Sequence, residues 1–307
     1  MKVTFLGVNN AFCVGEYDEN GKYDPKWQSN VLIEFDNAAF YRLNEKGVII
    51  KKDKLRMVID FGGDIRHSLK FHGLSMNDID IWYCSHPHSD HIGGIEGIAL
   101  TTFFNPFYNE TKKDIMNNYK MDVLSFVQKN KSLPDAFKPI MIGDCSVLEE
   151  LWQSAQAGLN TLQNVRNVTL QTYFNVIEMK SDNRCFIKED DVIWEFFTVQ
   201  SVHVIGGTKH MPSFGLFFEN ENRKIFFPTD TMLMMPPTMK TFYDDADVIY
   251  QDTETGIKSG VHSHIDDIRK IDEEIKKKLY LYHYNTFPVV DEGEFKGVLK
   301  TGETHEY

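Results

Sequence analysis

A chain of 307 residues with 42% hydrophobic content can bury one large core or two modest ones, and its four cysteines, with no CxxC pair, argue against a disulfide framework or a zinc ribbon. A formal net charge of −12 disfavours a large phosphate-tracking surface, because nucleic-acid affinity comes mainly from Lys and Arg displacing counterions; a small anionic substrate stays compatible. No long apolar run and no basic-then-apolar leader occurs, so the expectation is a soluble, unexported protein of the reducing cytoplasm with no membrane partner.

Short β-rich runs open the chain at residues 3–5, 31–35 and 57–60, punctuated by Asn20-Gly21 and Gly62-Gly63. A helix is predicted over 65–72, stopped by Gly73, and residues 79–84 read as a short buried strand. From 109 to 160 the pattern turns helical, with candidate helices over 112–130 and 145–159 separated by Leu133-Pro134 and Lys138-Pro139. We therefore expect a helical insertion at about 100–180, inside a single domain spanning 1–307. Strands resume at 192–202, 213–219, 224–228 and 248–251, and Ile265, Ile268, Ile271 and Ile275 mark a helix over 264–277. Strands alternating with helices on a sheet indicate a layered α/β architecture. The abundant Phe and Tyr are assigned to the core, including Phe103, Phe104, Phe107 and Tyr108, and the lysines 112, 113, 120, 129 and 131 to a solvated helix face.

The chemistry concentrates in Ser85-His86-Pro87-His88-Ser89-Asp90-His91, directly after the predicted strand at 79–84. Three of the chain's 11 histidines stand in that stretch, too many for a chance polar turn. Imidazole and carboxylate are the ligands Zn²⁺ takes at catalytic sites, and side-chain alternation at a strand end aims His86 and His88 the same way. Asp90 and His91 can then serve a second ion, which makes a two-metal hydrolase site.

The pattern H-x-H-x-D-H, here His86 to His91, resembles the signature of the metallo-β-lactamase superfamily, and residues 1–7 and 57–63 are similar to its early strands. Within that family the chain resembles the ribonuclease Z branch and the phage phosphodiesterases that destroy cyclic nucleotide immune signals. The likeness spans nearly everything except residues 100–180. It implies the four-layer αβ/βα sandwich, commonly dimeric. It also implies a ligand set: His86, His88 and His203 for one ion, Asp90, His91 and His283 for the other, and Asp230 shared. His210 competes with His203, because Met211-Pro212-Ser213-Phe214-Gly215 also resembles the family's stretch after this ligand. Two Zn²⁺ are the expected cofactors, with Mn²⁺ or Fe²⁺ able to take the same ligands.

His262 resembles the ribonuclease Z histidine that contacts the scissile phosphate and assists the leaving oxygen. That branch orients it with a glutamate after a histidine; here Asp252 and Gln251 stand in those places. His264 is either a second phosphate contact or the first residue of the following helix. The implied mechanism has metal ions lowering the pKa of water towards ~7, Asp90 orienting the hydroxide and His262 protonating the departing alkoxide. Bacterial ribonuclease Z carries a long arm between its third histidine and bridging aspartate, whereas residues 203–230 here hold two predicted strands and a turn. The expected substrate is therefore a small nucleotide, cyclic for preference, ahead of precursor tRNA. Hydrolysis of a lactone or thioester is the other enzyme class this signature admits, and a non-catalytic scaffold would have lost ligands that are all present here.

Overall fold

The computed structural model describes residues 1–17, 19–42, 49–108, 137–163, 165–180 and 183–307. Sixteen strands are described in chain order. They begin with β1 (Lys2–Gly7), the hairpin β2 (Glu16–Tyr17) and β3 (Tyr23–Asp24), β4 (Asn30–Arg42), β5 (Ile50–Ile59) and β6 (Ile81–Cys84). Next come β7 (Ile140–Asp144), β8 (Asn175–Met179), β9 (Cys185–Glu189), β10 (Val192–Ser201), β11 (Ser213–Glu219) and β12 (Lys224–Thr229). The chain finishes with β13 (Val248–Asp252), β14 (Leu279–Tyr282), β15 (Gly297–Val298) and β16 (Thr304–Glu306).

Hydrogen bonds link them in the order β15-β14-β13-β12-β11-β10-β9-β4-β5-β6-β7-β8, with β1 between β4 and β16. Both ends of this path are parallel, β5 to β8 and β12 to β15, while its middle is antiparallel.

Period-2 alternation explains why the sheet is covered twice. Ile81 and Tyr83 of β6 join Phe196, Phe218, Phe227 and Tyr250 in one core, which draws on both ends of the sheet and so lies between two facing halves. The intervening Trp82 and Cys84 point away, with Met141, onto Leu69, Ile98 and Leu151 of helices. On the other half, Phe217, Phe226 and Ile249 turn outward onto Met239, Tyr243 and Ile268. Strands apolar on both faces must be buried on both, and the result is helix, sheet, sheet, helix. This is the four-layer αβ/βα sandwich that the resemblance implied. Among the described residues no helix is long and apolar enough to cross a membrane.

Two expectations need correction. Residues 140–179 are not part of a helical insertion: β7, the predicted helix Cys145–Leu159 and β8 extend the parallel half-sheet as one more crossover unit. The helix Ile95–Tyr108 likewise belongs to the outer layer, with Ile98, Ala99 and Phe103 in its core and Phe104 exposed. The candidate helix at 112–130 with its lysines lies outside the described residues, as do the side chains of Phe107 and Tyr108. The helix predicted over 264–277 is two short ones, Ile265–Ile268 and Glu273–Lys276. Asp272 adopts extended backbone between them, and its carbonyl accepts from the N–H groups of Ile275 and Lys276 to restart the winding.

One hydrogen-bonded stitch ties the two half-sheets beside the histidine motif. The Tyr83 hydroxyl donates to the Phe214 carbonyl at 2.8 Å, and the Phe214 N–H donates to the Ser85 carbonyl at 3.0 Å. Replacing Tyr83 with Phe leaves the ring packed but strips a buried acceptor of its donor. The expected loss is about 1–2 kcal/mol of unfolding free energy, read from urea denaturation at unchanged m-value.

Candidate metal centre

Strand ends and one short helix deliver the residues of the cluster. His86 and His88 follow β6, Asp90 and His91 occupy the turn of helix Ser89–Ile92, His203 follows β10, Asp230 follows β12 and His283 follows β14. Three strands turn sharply there: Asp60, Thr229 and His283 all have positive φ, between 57° and 62°, immediately at or after the ends of β5, β12 and β14. Such backbone is costly for a β-branched residue like Thr229 and persists where the surroundings over-determine it. Gly62 permits the closest approach, since a Cβ there would collide with the Asp90 carbonyl.

The side chains form two donor groups that share Asp230: His86, His88 and His203 in one, Asp90, His91 and His283 in the other. In the first, His88 Nδ1 lies 3.2 Å from His86 Nε2 and 3.0 Å from His203 Nε2, and both of those nitrogens are 3.7 Å from Asp230 Oδ2. In the second, His91 Nε2 is 3.3 Å from Asp90 Oδ2 and 3.2 Å from Asp230 Oδ2, while His283 Nε2 is 3.5 and 3.4 Å from the same two oxygens.

Outer contacts set which ring nitrogen is bare. His203 Nδ1–H donates to the Val261 carbonyl at 2.8 Å, so its Nε2 presents a lone pair inward, and His91 Nδ1–H donates to Asp60 Oδ2 at 2.7 Å. Burial opposes charge on His91, but Asp230, Asp90 and Asp60 outweigh it and raise its pKa well above the usual imidazole value, so a cation bound there would displace the Nε2 proton. Asp60 also accepts from the N–H and hydroxyl of Ser85, whose oxygen meets His86 Nδ1 at 2.9 Å. Burial lowers the pKa of His86 and His88, and brings His203 down to about 4, so these rings are neutral, the form that ligates. Burial opposes charge at Asp90 and Asp230 as well. There the neighbouring histidines prevail and hold both carboxyls well below the usual range. His91 Nε2, His283 Nε2 and Asp230 Oδ1 are buried without a hydrogen-bond partner. Lone pairs facing one another at hydrogen-bond distance, buried anions and orphaned acceptors share one remedy, a metal cation. The donors are imidazole nitrogen and carboxylate oxygen, the set that suits zinc and its first-row neighbours.

His262 and Asp252 adjoin this cluster, with Asp230 Oδ2 3.8 Å from His262 Nδ1. Asp252 Oδ2 accepts from His262 Nδ1 at 3.1 Å, and the Gln251 amide donates to Asp252 Oδ1 at 2.6 Å and to Ser263 Oγ at 3.0 Å. Tyr243 in turn donates to Gln251 Oε1. The glutamine standing where the ribonuclease Z branch has histidine is thus a link in a buried chain that fixes Asp252. Burial disfavours a charged His262, but its bond to Asp252 and the nearby Asp230 outweigh that and raise it to about 9.

Two candidates fall outside. His210 is exposed and absent from the cluster. The phosphate contact considered for His264 is corrected: its Nε2–H donates to the Gly256 carbonyl at 3.0 Å and its Nδ1 accepts from Asp266 N–H at 3.2 Å, which occupies both nitrogens in starting a helix. Sequence reasoning overlooked Asp60 and Ser85 as orienting groups. The available signal was a carboxylate closing the apolar run Met57-Val58-Ile59 just before Gly62-Gly63.

A sandwich of this kind with such donors at its strand ends has the metallo-β-lactamase fold. The family profile described as Anti-Pycsar protein Apyc1 matches residues 35–124 and 121–305, and the chain belongs to that family. Relatives bearing that name include one from Bacillus phage vB_BveM-Goe7, 24% identical over 92% of this chain and 88% of its own length. Another, from Paenibacillus harenae, is 22% identical over 82% and 88%. Among solved structures, the metallo-beta-lactamase fold protein YhfI from Bacillus subtilis aligns with a TM-score of 0.60 at 14% identity, over 99% of this chain and 98% of that one. The short form of human tRNase Z aligns with a TM-score of 0.55 at 16% identity, over 100% and 99%. These likenesses in structure establish the fold.

Asp60 touches no substrate space, so its effect must run through His91 and Ser85. Asp60→Ala is expected to weaken Zn²⁺ binding about 10–100-fold by isothermal titration calorimetry. His203→Ala should remove a ligand outright, whereas His210→Ala should leave the isotherm unchanged.

Proposed function

We propose that this protein is a dinuclear-zinc phosphodiesterase that hydrolyses a cyclic nucleotide. The observation that carries the reading is the pairing of two donor groups on one shared carboxylate, Asp230, with a carboxylate-backed imidazole, His262, beside them in a cleft of about 620 Å³. That volume suits one small molecule. Membership of the anti-Pycsar family accords with the resemblance to phage enzymes that destroy cyclic nucleotide signals. The absence of an arm agrees too, since β11, β12 and their turn fill most of the stretch between His203 and Asp230.

His86, His88, His203 and Asp230 would hold one ion, and Asp90, His91, His283 and Asp230 the other. When bound, zinc supplies Lewis acidity that brings water towards a pKa of ~7 and offsets charge on the phosphoryl oxygens. Asp90 accepts a hydrogen bond from the attacking water and orients it. A new P–O bond forms as the bond from phosphorus to the ribose oxygen breaks, and the ring opens to a nucleoside monophosphate. His262, held by Asp252 through Nδ1, presents Nε2 to the departing oxygen and gives it a proton. The four cysteines are unpaired, in keeping with a reducing cytoplasm as the working compartment, and the family's habit supports a homodimer.

A panel of 3′,5′-cyclic mononucleotides, cyclic dinucleotides and precursor tRNA, run with and without chelator, tests this. Metal-dependent opening of the cyclic nucleotides is expected. His262→Ala should lower kcat by about 10²–10⁴-fold. Maturation of tRNA with cyclic nucleotides left intact would overturn the proposal.

A further inference from the structure

We propose that the wall of this cleft away from the ligands reads the base of the nucleotide, with Phe12 and Ile257 as apolar platforms and the side-chain amides of Asn10 and Asn285 as donors. This rests on the nucleotide reading above and adds what grips the end remote from phosphorus.

The same cleft is lined by His88, Asp90, Asp230, His262 and His283 on the one hand and by Asn10, Phe12, Ile257 and Asn285 on the other. Glu254, Lys258 and Ser259 line it as well, so a phosphate placed at the ligands leaves its nucleoside against a wall that includes these four residues. Phe12 is 87% exposed and Ile257 94%, although a large apolar side chain ordinarily finds packing. They come from separate loops, after β1 and after β13, and meet in one concavity. An apolar surface standing open next to a metal site is suited to a flat apolar face, and a base supplies one because every base has a π-face.

The amides add direction. Asn10 Oδ1 accepts from the Phe12 N–H at 3.1 Å and from the Cys13 thiol at 3.3 Å. Asn285 Oδ1 accepts from the Thr255 N–H at 3.3 Å and from the Thr255 hydroxyl. Backbone donors thus fill both side-chain carbonyls and fix the amide orientation. Each NH₂ group is left as the half that makes no hydrogen bond within the described residues. Amide donors on this wall suit the acceptor atoms that every base edge carries.

The test compares 3′,5′-cyclic UMP with an abasic analogue, methyl ribofuranoside 3′,5′-cyclic phosphate, on the zinc-loaded protein. The quantity read is kcat/KM for cyclic UMP divided by kcat/KM for the abasic ester, which cancels changes at the metal centre. Phe12→Ala is expected to lower this ratio about tenfold, with Phe12→Tyr restoring it. Asn285→Asp keeps the acceptor for Thr255 but removes the donor, and should lower the ratio several-fold. Val289→Ala, equally exposed but outside the cleft, should leave it at the wild-type value. Weaker binding of uridine alone to Phe12→Ala, followed by saturation-transfer NMR in chelator, would support the platform independently of turnover. If both esters are cleaved and the ratio does not move in Phe12→Ala or Ile257→Ala, the base-reading wall is overturned while the phosphodiesterase stands. The same unmoved ratio with loss of dimer on sedimentation would assign these side chains to a subunit contact instead. Failure of the loaded wild-type protein to cleave either ester overturns both readings.

Discussion

Everything in this molecule is arranged around Asp230. One of its carboxylate oxygens stands between 3.2 and 3.7 Å from nitrogens of His86, His91, His203 and His283, at a depth where water cannot screen them. A buried anion ringed by imidazole nitrogens demands positive charge beside it, which a bound cation would supply in place of a proton on His91. The scaffold's task is to hold those groups together despite their cost. It does so by placing His86, His203, Asp230 and His283 just past the ends of strands whose two faces are locked into separate cores, and His91 on the short helix that follows β6. The left-handed residues Asp60, Thr229 and His283 are the local trace of that constraint.

Orientation is handled one layer out. Asp60 binds both His91 and Ser85, the Val261 carbonyl holds His203, and the relay Tyr243–Gln251–Asp252 holds His262. Each contact decides which ring nitrogen carries a proton and which faces inward. The proposed function also has to reconcile an acidic protein with an anionic substrate. With a formal net charge of −12 the chain repels anions at long range, yet divalent cations held by these donors would invert the local field at the cluster.

Much of the fold was legible where apolar residues recur with a clear period. The runs that became β10, β11, β12 and β13 were bounded nearly to the residue, as was the helix Cys145–Leu159. Short or polar strands were not legible: β9 mixes Lys and Glu with Ile, and β8 carries a glutamate, so neither stands out from a loop. Reading 140–179 as part of a helical insertion failed for a related reason. A crossover unit of strand, helix and strand looks predominantly helical when its strands are only five residues long. Isoleucines at helical spacing promised one helix at 264–277, but Asp272 broke it by capping a new start.

The chain by itself determined which side chains are candidate ligands. His86, His88, Asp90 and His91 are neighbours in sequence, so their chemistry is visible in one short window, and the resemblance carried His203, Asp230 and His283 onto ends of apolar runs. Tertiary structure decided what linear order cannot express. It chose His203 over His210 by burying one and exposing the other, and it spent both nitrogens of His264 on backbone. It also brought Asn10 and Phe12 to the same cleft as Ile257 and Asn285. Side-chain type is a local property, whereas burial, the free nitrogen of a ring and the company a residue keeps arise only when distant strands close on one another.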